Sequence, residues 1–270
     1  MAAPHTPDEL RRAALHWLIE TDTHSKACGV RLLHDAWQSG TVSLDPEAIL
    51  QCKQPTPGRP AYPTLVDPRD LPHRSMRTAE GRGALLHALA HIEFNAINLA
   101  LDAIWRFPGM PQDYYTDWLR VAAEEAFHFS LLDEHLVKQG FRYGDFPAHN
   151  GLWEMAEKTR HDPLARMALV PRTLEARGLD ASPQLRAKLA QAGDHAAADI
   201  LGIILRDEIG HVAVGNRWYN MLCRQRGLDP VAAYAMLAAE HDAPTPRGPF
   251  NLDARRAAGF TETELAVLAG

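Results

Sequence analysis

The chain has 270 residues, 46% of them apolar and 23% charged, with a formal net charge of −6. This composition excludes a disordered or fibrous chain, and the acidic balance argues against a nucleic-acid binder that relies on a broad basic face. No apolar run approaches the roughly 20 residues that span a bilayer, and no apolar leader opens the sequence. The three cysteines, Cys28, Cys52 and Cys223, are widely spaced. The expectation is a cytoplasmic protein in a reducing compartment, with no membrane partner.

Two short helices are predicted first, Asp8–Ile19 and Asp22–Gln38, with Asp8 and Asp22 as N-caps. Nine of the 19 prolines precede residue 80, so residues 40–77 read as an extended strap rather than a helix. Long helical periodicity follows. Gly81–Phe107 ends at Pro108-Gly109, and Asp113–Gln139 stops at Gly140. A loop over Gly144–Asn150 leads to a short helix, Leu152–Thr159. Asp162-Pro163 opens a helix to Gly178 that Pro171 should kink, and Ser182-Pro183 opens another. Ala196–Arg226 is long and ends at Gly227, Asp229-Pro230 starts a further helix to Glu240, and the tail reads as mostly irregular. No segment alternates with a period of two, so the fold class is all-α.

The functional signal lies in what sits on the apolar stripes. Residues 86, 89, 90, 93, 97, 100, 101 and 104 form one stripe with Glu93 as its charged member. The next, 118, 121, 125, 128, 132 and 136, includes Glu125 and His128. The kinked helix carries Glu175, and the last long helix carries Glu208 and His211 on the stripe 201, 204, 208, 211, 215 and 218. A buried carboxylate left unpaired costs several kcal/mol, so an acid on each of four core faces demands a cation.

Glu125–His128 and Glu208–His211 are both Glu-x-x-His pairs, a spacing that points both side chains the same way from a helix. With one further Glu from each of two other helices, this is the ligand set of a carboxylate-bridged dimetal site in a four-helix bundle. Four carboxylates, two divalent ions and two neutral imidazoles leave the core near neutral. The mixed N/O set suits iron, with manganese an alternative at one or both positions. The lone Glu and the pair are separated by 32 residues in one half (93 to 125) and 33 in the other (175 to 208), which suggests two helix hairpins related by a pseudo-two-fold axis. Asp207 is a candidate to accept a second ring N–H from a ligand histidine.

The segments His91-Ile-Glu-Phe-Asn-Ala-Ile, Ala123-Glu-Glu-Ala-Phe-His-Phe and Arg206-Asp-Glu-Ile-Gly-His-Val resemble the ferritin-like di-iron superfamily. Nearly the whole chain to Glu240 is similar to a bacterial ferritin-like family described as a domain of unknown function, with further matches at Gly144-Asp-Phe-Pro-Ala-His, Val170-Pro-Arg-Thr-Leu-Glu-Ala-Arg-Gly-Leu-Asp and Gly215-Asn-Arg-Trp. The resemblance implies a ferritin-like four-helix bundle over residues 78–240, holding two irons through Glu93, Glu125, His128, Glu175, Glu208 and His211. Residues 1–77 would pack on it, and 241–270 would form a C-terminal tail.

The expected activity is that of an oxygen-activating oxidase or monooxygenase. Its partners would be oxygen or peroxide, an electron-donor protein, and a small-molecule or RNA substrate. Ligand order is similar to that of the bacterial tRNA-modifying hydroxylases, and a local basic patch of Arg160, Arg166, Arg172 and Arg177 would suit RNA. The competing class is metal or redox handling without an organic substrate: ferroxidase, peroxide scavenging or iron sensing. A homodimer is compatible with either. Leu132 stands where a radical-generating reductase subunit would place tyrosine, while Phe94, Phe127 and Phe129 would keep the centre dry. Gly210, Gly215 and Ala122 would leave room near the ions. His87 and His91 read as surface or internally satisfied histidines, and Trp218, Tyr219 and Cys223 as core.

Overall fold

The structure, a computed structural model, describes residues 8–72 and 74–269. Its regular elements among those residues are helices: α1 (Leu10–Ile19), α2 (Thr23–Gln38), α3 (Ala79–Arg106), α4 (Gln112–Lys138), α5 (Gly151–Lys158), α6 (Pro163–Leu169), a π-helical turn (Val170–Glu175), α7 (Ala176–Gln191), α8 (His195–Arg226), α9 (Pro230–Glu240), α10 (Leu252–Ala257) and α11 (Glu262–Ala269). The all-α expectation holds. The chain divides after Asn150 into two compact units.

In the first unit α3 packs against α4 and α1, and α2 packs against α4. Glu9, not Asp8, caps α1, because its carboxylate accepts from the N–H groups of Arg11 and Arg12 at 2.9 Å. Asp8 instead uses its carbonyl to accept from the Ser43 N–H at 2.8 Å. Asp22 caps α2 as expected, accepting from Ser25 N–H at 2.8 Å. Thr78 caps α3, which is buried on every side from Glu93 to Trp105. By length and composition α3 would cross a membrane, a property the stripe reading passed over. Yet 78% of its apolar window is buried within the protein, as in a core helix.

The strap, residues 40–77, contains one 3₁₀ turn (Pro68–Asp70) and is otherwise irregular. Polar anchors hold it. Buried Arg11 donates to the carbonyls of Pro46 and Ala48 on the strap and to Ile104 and Trp105, whose oxygens belong to the last turn of α3. Buried Lys26 donates to Leu18 O, Gly58 O and Asn98 Oδ1. A Cβ on Gly58 would lie 2.1 Å from the Ile19 carbonyl, so only glycine lets the strap pass the end of α1.

His87 and His91 are both buried rather than on the surface; His91 is hydrogen-bonded through both ring nitrogens, whereas among the described residues His87 is bonded through Nε2 alone. His87 Nε2 accepts from Gly144 N–H at 2.9 Å. His91 Nε2 donates to the His149 carbonyl at 3.1 Å, which leaves Nδ1 to accept from the Tyr143 hydroxyl at 2.8 Å. The two rings therefore pin the 143–149 loop to α3.

In the second unit α8 packs against α6, α7, α9 and α10. The predicted kink at Pro171 takes the form of the π-helical turn, and Gly215 on α8 admits it: a Cβ there would lie 2.6 Å from Pro171 Cβ. Gly215 thus serves close packing and leaves no free space of its own. The helix does not stop at Gly178 and restart at Pro183, as the sequence suggested, but runs through Pro183 to Gln191. Proline cannot donate to the Leu179 carbonyl four residues back, and the Asn251 side-chain amide does so at 3.2 Å. The tail is more ordered than expected. Ala254, Ala258, Phe260 and Leu265 pack with Ala176, Leu179 and Val212 in one apolar cluster. Trp218, Tyr219 and Cys223 are core residues, as read.

Burial holds the His87 imidazole neutral and lowers its pKa to about 4, against about 6.5 in an unfolded chain. Between those values the unfolded state binds the extra proton, so the stability contribution is complete above about pH 6.5 and lost as pH falls towards 4. From pH 7 to pH 5, wild type should lose about 2 kcal/mol more than His87→Asn in urea denaturation. Parallel pH dependences for the two proteins would refute this assignment.

Candidate metal centre

The first unit brings three of the predicted ligands together. Glu93 projects from α3, and Glu125 and His128 project from consecutive turns of α4. Their relative exposures are 3%, 1% and 0%. His128 Nδ1 lies 3.3 Å from Glu93 Oε2 and 3.4 Å from Glu125 Oε2. One ligand atom from each of the three falls within 4.8 Å of the others. The apolar stripes of α3 and α4 deliver them: Leu86, Ala90, Ile97 and Ala100 on one helix, and Trp118, Val121, Leu132 and Leu136 on the other, are all buried.

Two carboxylates this close in a dry environment repel. Burial first, and then the adjacent Glu125 charge, push the Glu93 carboxyl well above its usual range. Burial alone would lower the His128 pKa, but its contacts with Glu125 and Glu93 outweigh that and raise it to about 11. The imidazole thus acts as the local cation for one carboxylate, and burial drives the other carboxyl towards its neutral form unless a further cation shares the site. A divalent cation would keep both carboxylates ionised, and two carboxylate oxygens with one imidazole nitrogen are a fitting donor set for iron or manganese.

The second unit repeats the motif. On α8, Glu208 and His211 are buried, and His211 Nδ1 lies 3.5 Å from Glu208 Oε1. In both Glu-x-x-His pairs the same ring nitrogen turns to the carboxylate, at distances within 0.1 Å (3.4 and 3.5 Å). Glu175 closes the π-helical turn and is half-buried. Arg172 in the same turn pairs with Glu264 and lies 4.6 Å from the Tyr219 ring and 4.9 Å from the Phe260 ring. The conformation of that turn is therefore fixed by buried contacts on its far side. Asp207 is half-buried and pairs with Arg206, Oδ1 accepting from Nε at 2.7 Å.

Other expectations about the surroundings are met unevenly. Phe94 and Phe129 are buried with ring centroids 5.5 Å apart, and Leu132 is buried, but Phe127 is 38% exposed and contributes no dry wall. Glu124 pairs with Arg120 at 3.4 Å, outside the cluster as expected. The four arginines proposed as a basic patch do not form an exposed one. Arg166 is buried and donates to Thr159 and the Ala156 carbonyl, and Arg172 is buried against Glu264. What the sequence reading missed is a largely apolar cavity beside α3 with one charged group, lined among others by Arg59 and Tyr143. No periodic pattern marks it, because its cation sits on the irregular strap.

In chelator-treated protein, Glu93→Gln replaces a carboxyl that burial and Glu125 already disfavour as an anion, and should leave stability unchanged or raise it. His128→Ala removes the imidazole that both carboxyls face and should cost about 3 kcal/mol or more. Denaturation midpoints check both, and a stabilising His128→Ala would contradict the charge argument.

The comparisons with known proteins agree with one another. The family model described as "Protein of unknown function (DUF455)" matches residues 19–266. An uncharacterized protein of Haemophilus influenzae is 56% identical over 213 residues, covering 76% of this chain and 74% of that one. No solved structure matches significantly. With the match running through both units and both Glu-x-x-His pairs, the chain belongs to the DUF455 family.

Proposed function

We propose that this protein is a ferritin-like di-iron carboxylate oxidase or monooxygenase. The observation that carries the reading is the buried Glu93–Glu125–His128 cluster, together with its echo in the buried Glu208–His211 pair. In this reading residues 78–240 form the ferritin-like bundle, with α3, α4, the α6–π–α7 segment and α8 as its four helices. Residues 1–77 and 241–270 are additions to it. Glu93, Glu125, His128, Glu175, Glu208 and His211 hold two irons, or manganese at one or both positions. Two divalent ions would balance four ionised carboxylates, so burial would no longer force any of them to take up a proton.

A reduced pair of irons supplies oxygen activation when bound. The chain's own residues supply the rest. The Glu-x-x-His pairs orient one oxygen and one nitrogen donor each, and Phe94, Phe129 and Leu132 keep water from the α3–α4 side. Inserting one atom of O₂ into a C–H bond consumes two electrons and two protons and releases water, so an electron donor is part of the proposal. A cytoplasmic setting suits that requirement. Burial of Arg166 and Arg172 weakens the case for RNA and favours a small organic substrate.

Four measurements test the reading. Protein from iron-replete cells should contain two metal ions per chain. Chelation should lower stability by about 4 kcal/mol, judged at a free-metal concentration about 1,000 times the dissociation constant. Unchanged stability after verified metal removal would count against the site. Glu175→Ala should lose metal while the exposed Glu154→Ala keeps it, and equal occupancy would remove Glu175 from the ligand set. Oxygen uptake that requires a reductant and yields a hydroxylated product supports the oxygenase. Turnover with iron(II) alone would instead identify a ferroxidase.

A further inference from the structure

A cavity of about 310 Å³ lies within the first unit, between the strap and α3. Arg59, Pro63 and Leu65 of the strap form one side, His91 and Phe94 of α3 another, and Tyr143 a third. Its volume is at the small end of ligand pockets, roughly 300–1,000 Å³. Most of the lining is apolar or aromatic, with one charged group among it.

That group is Arg59. It is half-buried, and burial lowers its pKa. Its neutral partner is the Asn150 side-chain oxygen, 2.5 Å from Nη2, and among the described residues no carboxylate pairs with it. A second cation stands nearby: Lys26, fully buried, whose ammonium lies 4.8 Å from the Phe94 ring centroid and is repelled by Arg59. Lys26 is committed to three neutral oxygens and does not line the cavity. The other polar groups, His91 and the Tyr143 hydroxyl, bond to one another and bring no negative charge. The cavity therefore has an apolar body, positive potential and one guanidinium with an edge left for a ligand. A guanidinium edge matches a carboxylate bidentately. A phosphate monoester would bring a second negative charge for which no further free cation is at hand.

We propose that the cavity between Arg59 on the strap and the Phe94–Tyr143 wall binds a small organic monocarboxylate carrying an aromatic or branched apolar body. The carboxylate pairs with Arg59, and the body lies against Phe94, Tyr143, Pro63 and Leu65. The proposal does not depend on the metal reading, although Phe94 follows Glu93 on α3 and so joins this wall to the ligand-bearing turn of that helix.

Calorimetric titration of the full-length protein with phenylacetate, phenylacetamide, phenyl phosphate and inorganic phosphate tests it. Phenylacetate should bind saturably at one site per chain, and the neutral amide about tenfold more weakly or worse. Arg59→Gln should weaken phenylacetate by about tenfold or more while leaving the amide unchanged. Leu65→Trp, at a partly exposed position, should fill the cavity and abolish binding with Arg59 intact. No saturable phenylacetate binding, equal affinity for acid and amide, or tighter binding of either phosphate would overturn the proposal. Should Arg59→Gln fail to fold, unaltered phenylacetate affinity in Leu65→Trp would overturn it equally.

Discussion

The central constraint in this protein is the cost of holding two carboxylates side by side away from water. Glu93 and Glu125 are almost completely buried, and His128 reaches both with one ring nitrogen. Hydrophobic burial on α3 and α4 forces these charges together, since the same stripes that supply Leu86, Ile97, Val121 and Leu132 to the core carry the acids. A core accepts such an arrangement only when something positive shares it. An imidazolium balances one carboxylate, and burial drives the Glu93 carboxyl towards its neutral form unless a further cation is present. That α8 repeats the motif with nearly the same spacing makes a metal reading more economical than two unrelated accidents of packing.

Much of this was legible in the sequence because helices expose their periodicity. Long stripes located α3, α4 and α8, and the stripe positions of Glu125, His128, Glu208 and His211 translated directly into burial. Caps were harder. Asp8 and Glu9 are adjacent acids, and only the tertiary demand of Ser43 for the Asp8 carbonyl decides between them. Pro183 misled for a related reason. Its usual effect is to end a helix, but the acceptor it leaves without a donor is served from 72 residues away by Asn251, a contact that no local pattern announces. His87 and His91 lay off the main stripe and looked peripheral, yet the 143–149 loop covers them, and they become its anchors on α3. The Arg59 cavity belongs to the strap, whose backbone has no period to read.

The strap shows how a proline-rich segment without regular structure can still be specified. Its conformation rests on donors from outside it, chiefly Arg11 and Lys26, which satisfy carbonyls that a helix or sheet would satisfy internally. Both donors are buried cations surrounded mainly by neutral oxygens. The first unit therefore gathers positive charge beneath the strap and negative charge in the α3–α4 cluster, and α3 carries groups facing each.

The dependence of α7 on the tail has a temporal side. The amide of Asn251 covers Leu179, Arg255 grips Asp180 at 2.6 Å, and Glu264 holds Arg172 in the π-helical turn. All three clasps reach back over long stretches of sequence, 72, 75 and 92 residues. The segment bearing Glu175 is thus fastened by residues translated well after it, whereas Glu93, Glu125 and His128 come from two helices that are consecutive in the chain.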